Sequence, residues 1–222
     1  MTQPHRNVRS LTKTRSKSVA FSFLALLALT LLAFIHFFNA QAFAALNDNQ
    51  REVLKNVSNT MNKYKTMSGE FIQTGPNGGT ARGVFHLKRP GQIRFKYAQP
   101  DTIDIIADGK SVAVVNKELQ TQDLLPLKKT PLRYLLRRKL NLNEVDGVKN
   151  VGLLGENIVV IIEDKDAFNE SQLRLFFNKD SFELEQWIVT DAQGLDTSVQ
   201  IFNTEKNSKV KNGWFEISYP GQ

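Results

Sequence analysis

The 222-residue chain contains no cysteine. Disulfides, thiolate metal sites and cysteine nucleophiles are therefore excluded. Histidine is almost as scarce: His5 and His36 fall within the first 44 residues, leaving His86 alone in the remainder. One histidine without cysteine does not make a usual zinc site, and no His-x-x-x-His spacing occurs. A Ser-His-Asp triad would need His86, which lies inside a strand pattern with no nucleophile-elbow sequence near it. It reads as an outward or packing residue. The glycine-rich stretch Gly75-Pro76-Asn77-Gly78-Gly79 lacks the lysine and following helix of a phosphate-binding loop. The acidic run Glu163-Asp164-Lys165-Asp166 lacks the glycine and terminal glutamate of a calcium loop. No metal, cofactor or enzymatic role is expected, although paired carboxylates of a hydrolase leave no spacing to read.

Charge of one sign is lacking where it would matter. The chain carries 29 Lys+Arg against 22 Asp+Glu. Five of those cations, Arg6, Arg9, Lys13, Arg15 and Lys17, precede an almost wholly apolar run from Val19 to Phe38. Ala42-Phe43-Ala44 then supplies small residues two apart. A basic start, an apolar centre and an Ala-x-Ala end read as a secretory signal peptide, residues 1–44, cleaved after Ala44. The apolar run is long for a signal, so an uncleaved membrane anchor is the other reading. The remaining stretch, 45–222, has 24 cations against 22 acids. Nucleic-acid binding loses its main support, and export to an envelope compartment is expected.

Asn47 with Gln50 three residues later suits a helix cap, and Val53, Leu54, Val57, Met61 and Tyr64 recur at helical spacing to about Lys65. From Met67 the pattern changes to short alternating runs parted by turn residues. They predict eleven strands: 68–74, 80–88, 92–98, 102–107, 111–116, 120–125, 148–153, 157–163, 172–178, 184–191 and 195–203. The segment 203–213 is polar and lysine-rich and reads as an exposed loop. The fold expected is α+β, mostly β: a strongly curved antiparallel sheet forming an incomplete barrel. Between the sixth and seventh strands, Thr130-Pro131 suits a helix start and Leu132, Leu135, Leu136 and Leu140 form a stripe. Lys128, Lys129, Arg133, Arg137, Arg138 and Lys139 crowd the same segment. Such a cluster suits acidic patches on a partner or anionic lipid headgroups, with a solvated helix face as the plain alternative. Arg133, Arg137 and Arg138 are the candidates for docking.

The run Gly83 to Phe95 predicts a hairpin turned by Pro90-Gly91. Phe85, Leu87 and Arg89 share one face of its first strand, and Ile93, Phe95 and Tyr97 share one face of the second. An arginine on an apolar face needs partners, because a desolvated and unpaired charge is costly. It is able to hold a movable segment by donating to backbone carbonyls, or it reaches water at the strand end.

This stretch resembles the outer-membrane lipoprotein carrier (LolA) family. The likeness rests on Ser68-Gly69-Glu70-Phe71-Ile72-Gln73, on Gly83 to Pro90 with its Lys-Arg-Pro ending, and on Phe95, Gln99-Pro100 and Asp108-Gly109-Lys110. It is best over about Met67 to Leu140. The resemblance implies a periplasmic chaperone that shields lipoprotein acyl chains and moves them from the inner to the outer membrane. It implies a lid made of the N-terminal helix and the short helical insertion, held by Arg89. Its partners would be an inner-membrane lipoprotein-releasing ABC transporter complex and an outer-membrane receptor or the membrane itself. A monomer without cofactor is expected. The apolar hollow is expected to be lined by Phe71, Phe85, Leu87, Ile93, Phe95, Tyr97, Ile105, Val114, Phe176 and Trp187. A carrier of another lipid, such as a glycolipid or fatty acid, and a membrane-anchored envelope sensor remain alternatives.

Overall fold

A computed structural model describes residues 45–165 and 171–218; the predicted signal segment, residues 1–44, lies outside the described residues, as does Asp166 of the acidic run. Among the described residues no helix is long and apolar enough to cross a membrane.

The chain opens with helix α1, Asp48–Asn62. Its start is fixed as the sequence predicts: the Asn47 side chain accepts from the Gln50 backbone N–H at 2.9 Å, and the Asn47 N–H donates to the Gln50 side chain at 3.0 Å. These reciprocal bonds satisfy two N–H groups that a helix start otherwise leaves unpaired. The helix ends three residues earlier than expected, and Leu54, Val57, Ser58 and Met61 form its buried stripe.

Eleven strands follow: β1 Thr66–Thr74, β2 Thr80–Lys88, β3 Gln92–Tyr97, β4 Ile103–Asp108, β5 Ser111–Asn116, β6 Thr121–Pro126, β7 Val148–Leu154, β8 Asn157–Asp164, β9 Ser171–Asn178, β10 Leu184–Thr190 and β11 Asp196–Lys206. All pairings are antiparallel, in one sheet of order β6-β5-β4-β3-β2-β1-β11-β10-β9-β8-β7. Strands β6 and β7 are its two edges and do not pair, so the barrel is unclosed. The connection 127–147 joins one edge to the other.

The sheet is bent round on itself. Phe95 on β3 and Trp187 on β10 are four strand spacings apart along the sheet, about 19 Å if it were flat. Their ring centroids are 6.1 Å apart. Two glycines accommodate the bend near its centre. A Cβ on Gly83 would lie 2.1 Å from the Lys96 carbonyl oxygen, and one on Gly69 would lie 2.9 Å from a Phe85 ring carbon. Strand glycines of this kind permit close approach of backbone and aromatic neighbours.

One continuous apolar core fills the inner face, including Leu54, Val57 and Met61 of α1. A smaller cluster, Ile106, Ala113 and Ile217, lies on the outer face. It is covered by the C-terminal segment, which departs from the expected exposed loop. Strand β11 continues to Lys206, with Asn203 at φ 50° beside a register shift against β1. Ser208 and Phe215 are then buried. The segment is fastened by Thr66, whose hydroxyl donates to the Ser208 carbonyl at 2.7 Å.

Candidate functional site

Alternation along each strand decides which predicted lining residues meet. Phe71, Phe85, Leu87, Ile93, Phe95, Tyr97 and Trp187 are all buried in the inner core. Phe71 packs edge-on against Phe95 and Tyr97, at 5.1 and 5.0 Å between centroids. Ile105 is partly buried against them. Val114 stands opposite Ile105 in the sheet and is half-buried. Phe176 is the exception. It pairs with Val159 and Gln186, while its neighbours Leu175 and Phe177 are the core residues of β9. Two adjacent phenylalanines fit either register, and a shift by one residue exchanges the faces. Core positions not anticipated from the sequence include Val160, Ile162, Leu173 and Phe177, although the alternation of β8 and β9 carried their pattern.

These side chains pack with those of α1 in one core. Open space lies at the margins. A pocket of about 550 Å³ sits between the start of α1 and the β7–β8 edge, lined in part by Val53, Val151, Leu153, Ile158 and Phe182.

Arg89, just past the end of β2, bonds both α1 and the segment after β6. The side chain is buried, at 7 % exposure. Its Nε donates to the Leu135 carbonyl at 2.9 Å, and Nη1 donates to the Met61 carbonyl. The guanidinium carbon lies 5.0 Å from the Tyr64 ring centroid. Nη2 has no hydrogen-bond partner among the described residues. Met61 is in the last turn of α1, where unpaired carbonyls and the helix dipole favour a cation. Burial lowers the Arg89 pKa and raises that of Tyr64. The cation is thus held by carbonyls and a ring face, an arrangement weaker than a buried carboxylate pair.

Further bonds tie the same parts together. The Gly91 N–H donates to the Leu136 carbonyl at 2.9 Å. The Asn62 side chain donates to the Leu140 carbonyl and accepts from the Leu140 N–H, both at 2.8 Å. The Ser58 hydroxyl accepts from the Leu142 N–H at 3.0 Å.

These contacts explain a departure from the expected insertion. Its helix, α2, is a single turn, Leu132–Leu135, rather than a stripe reaching Leu140. The Leu135 and Leu136 carbonyls that would continue the helix accept from Arg89 and Gly91, and the Leu140 N–H is taken by Asn62. Leu136 and Leu140 are buried without helical backbone.

The three docking candidates separate. Arg133 turns inward: it donates to the buried Asp164 carboxylate at 2.6 Å and to the Lys128 carbonyl at 3.0 Å. Arg137 and Arg138 are exposed, with Lys139 beside them, and Arg137 lies 5.5 Å from the Tyr134 ring. The partner of Arg133 is thirty-one residues away, so its role was invisible in local sequence.

On the outer face, Ser68 Oγ is 2.9 Å from His86 Nδ1, and the His86 ring stacks on Trp214 at 4.2 Å. Burial lowers the His86 pKa, with Arg94 and then Lys96 adding to the effect. The contact is capped by an indole and lies away from the inner core, so packing is its reading. Among the described residues no group of acidic and histidine side chains is placed to hold a metal ion.

The sequence model of the outer membrane lipoprotein carrier protein LolA family matches residues 62–218. An outer-membrane lipoprotein carrier protein of Neisseria meningitidis serogroup B is 25% identical over 209 residues, covering 90% of this chain and 93% of that protein. The protein of the same name from Methylobacillus flagellatus is 27% identical over 147 residues, covering 62% and 68%. Among solved structures, a LolA superfamily protein from Nitrosomonas europaea covers 78% of this chain and 99% of its own at 10% identity, with a TM-score of 0.45.

Proposed function

This chain belongs to the LolA family of outer membrane lipoprotein carrier proteins, and from that premise we propose that it shields the acyl chains of lipoproteins and carries them across the periplasm from the inner to the outer membrane. On this reading residues 1–44 are its export signal and 45–222 its carrier domain. It acts as a monomer, by binding rather than catalysis, and needs no cofactor. It receives cargo from a lipoprotein-releasing ABC transporter complex and delivers it to an outer-membrane receptor or to the membrane.

One observation carries the reading. The cover over a predominantly apolar inner face is fastened by a buried arginine that donates to two backbone carbonyls, one in α1 and one in α2. Such a fastening holds without a counter-charge and is released when the guanidinium regains water.

Magnitudes favour exchange of cover for cargo. A sixteen-carbon chain gains about 12 kcal/mol on leaving water, at ~0.8 kcal/mol per methylene. Displacing Leu54, Val57 and Met61 forfeits roughly 5–9 kcal/mol at 1.5–3 kcal/mol each. The two are of the same order, so cargo and cover compete for one surface.

The test is recovery of the exported protein, sequencing of its N-terminus and mass spectrometry of what it carries. A cleaved N-terminus with bound lipoprotein supports the reading. A retained apolar segment points to the anchored sensor, and a bound glycolipid or fatty acid points to a different cargo.

A further inference from the structure

The segment held by Arg89 and Gly91 also borders a pocket. This pocket, of about 520 Å³, has an apolar part made by Pro90, Pro126, Leu127 and Leu136. Lys110, Lys128, Arg137 and Arg138 stand around it, all four exposed, and no acidic residue lines it among the described residues. Lys129 and Lys139 are exposed next to them in sequence. Edge strand β6 runs into the pocket at Pro126 and presents Leu124 and Leu125 at 42% and 36% exposure.

We propose that this pocket is the surface by which the protein meets a membrane, taking the phosphate of an anionic phospholipid between Lys128, Arg137 and Arg138 while the exposed rings of Pro90 and Pro126 meet the first methylenes of its chains. The charge selects an anion. The apolar part selects an amphiphile, because a free phosphate or an acidic peptide gains nothing from the two prolines. Exposed apolar side chains beside a cationic cluster are the pattern of a protein face that lies against headgroups.

The pocket spans the junction itself. Leu135 and Leu136 give their carbonyls to Arg89 and Gly91, and Pro90, Gly91, Leu136 and Arg137 all line the pocket. A headgroup seated between the β2–β3 turn and the segment after β6 parts the two at the Gly91–Leu136 bond, so the cover loosens at the membrane, where cargo is exchanged. This coupling rests on the carrier reading above.

The test compares the exported protein, recovered without residues 1–44, with its Arg137→Gln/Arg138→Gln variant recovered in the same way, by sedimentation with two kinds of vesicle, phosphatidylcholine alone and an equimolar mixture with phosphatidylglycerol. The apolar N-terminal run and its five cations are then absent from both proteins, so their difference reports the pocket. At about 1 kcal/mol per cation, the variant binds the anionic vesicles about thirty-fold more weakly. The two proteins bind neutral vesicles alike, and high salt removes the difference. Equal binding of both proteins to anionic vesicles overturns the proposal. So does binding of polyglutamate by the wild-type chain as tight as its binding of anionic vesicles, which makes the pocket a site for an acidic protein. Full displacement from vesicles by inorganic phosphate alone also overturns it, reducing the pocket to a free-anion site. Without vesicles present, acyl-cargo uptake by the same variant matches that of the wild-type chain, because the coupling acts only at a membrane. Absence of uptake by the wild-type chain strikes the carrier reading, whereas equal binding of the two proteins to anionic vesicles strikes only the docking.

Discussion

Arg89 and Leu135 are forty-six residues apart in sequence, yet Arg89 Nε donates to the Leu135 carbonyl at 2.9 Å, both groups buried. This bond and its companion to Met61 join the end of a central strand to the two helices that cover the inner face. The fastening is charged on one side only, and the predictions follow from that asymmetry.

Arg89→Leu keeps the fold. The variant loses hydrogen bonds from a charged donor but no longer buries a cation without a carboxylate, and the two effects offset to within about 2 kcal/mol. The loaded state gains an apolar side chain, and the closed state loses its bonds to Met61 and Leu135. Cargo is therefore taken up and handed over poorly. Thermal unfolding and a transfer assay to an isolated acceptor check the two halves, and normal transfer removes the role assigned to Arg89.

Asn62→Ala leaves the Leu140 N–H and carbonyl without the partner that now satisfies both. Two buried backbone groups left unpaired destabilise the docked cover by roughly 2–4 kcal/mol. Amide hydrogen exchange is expected to quicken in 132–144 while the central strands β1, β2 and β11 keep their protection. Uniform loss of protection would mean that the cover and sheet open together.

Gly83→Ala does not fit the bend. Its new Cβ would lie 2.1 Å from the Lys96 carbonyl oxygen, which is backbone within the sheet. A loss of more than about 4 kcal/mol is expected, in the range of severe core disruption. Gly152→Ala is the control, because its Cβ would meet nothing within 4 Å. Melting temperatures that fall equally for the two variants would contradict the close approach.

His86 gives the outer face a pH dependence. Its pKa is lowered by burial, then by Arg94 and Lys96. The unfolded chain, whose histidine keeps its ordinary value of 6.5, therefore takes up the proton first as pH falls. The His86 contribution to stability is fully present above about pH 6.5 and declines below it. The effect is modest, because the ring is only partly buried. Protonation also sets a cation against the Trp214 ring and beside Arg94, so Trp214 fluorescence is expected to change over the same interval. His86→Gln should flatten the decline below pH 6.5, and an unchanged profile would assign it to carboxylates elsewhere.

Much of this was legible in the sequence because period-two alternation and turn residues act locally. The eleven strands and the Asn47–Gln50 cap were readable in that way, whereas Arg89 stood open between a buried hold on backbone carbonyls and water at the strand end. What was not legible depended on distant partners. The length of α2 was decided by Arg89, Gly91 and Asn62, which take its backbone groups. Arg133 turned inward because Asp164 lies under it, on a strand far along the chain. Phe176 and Phe177 are chemically alike, and only the register against β8 and β10 chose between them. The segment 203–213 looked like solvent-facing loop by composition; most of it is exposed, but β11 runs on to Lys206 and Ser208 is buried.

The central claim is that α1 and the segment after β6 must part for cargo to enter. The chain has no cysteine, so Arg51→Cys on α1 and Asn143→Cys after β6, where the Asn143 side chain donates to the Arg51 carbonyl at 3.1 Å near the surface, introduce the only two thiols. Joining them with a short bis-methanethiosulfonate linker fixes the cover, and a reductant frees it. Uptake of a lipopeptide carrying palmitoyl chains should be lost in the linked protein and restored on reduction. Equal uptake with the linker in place would contradict the account.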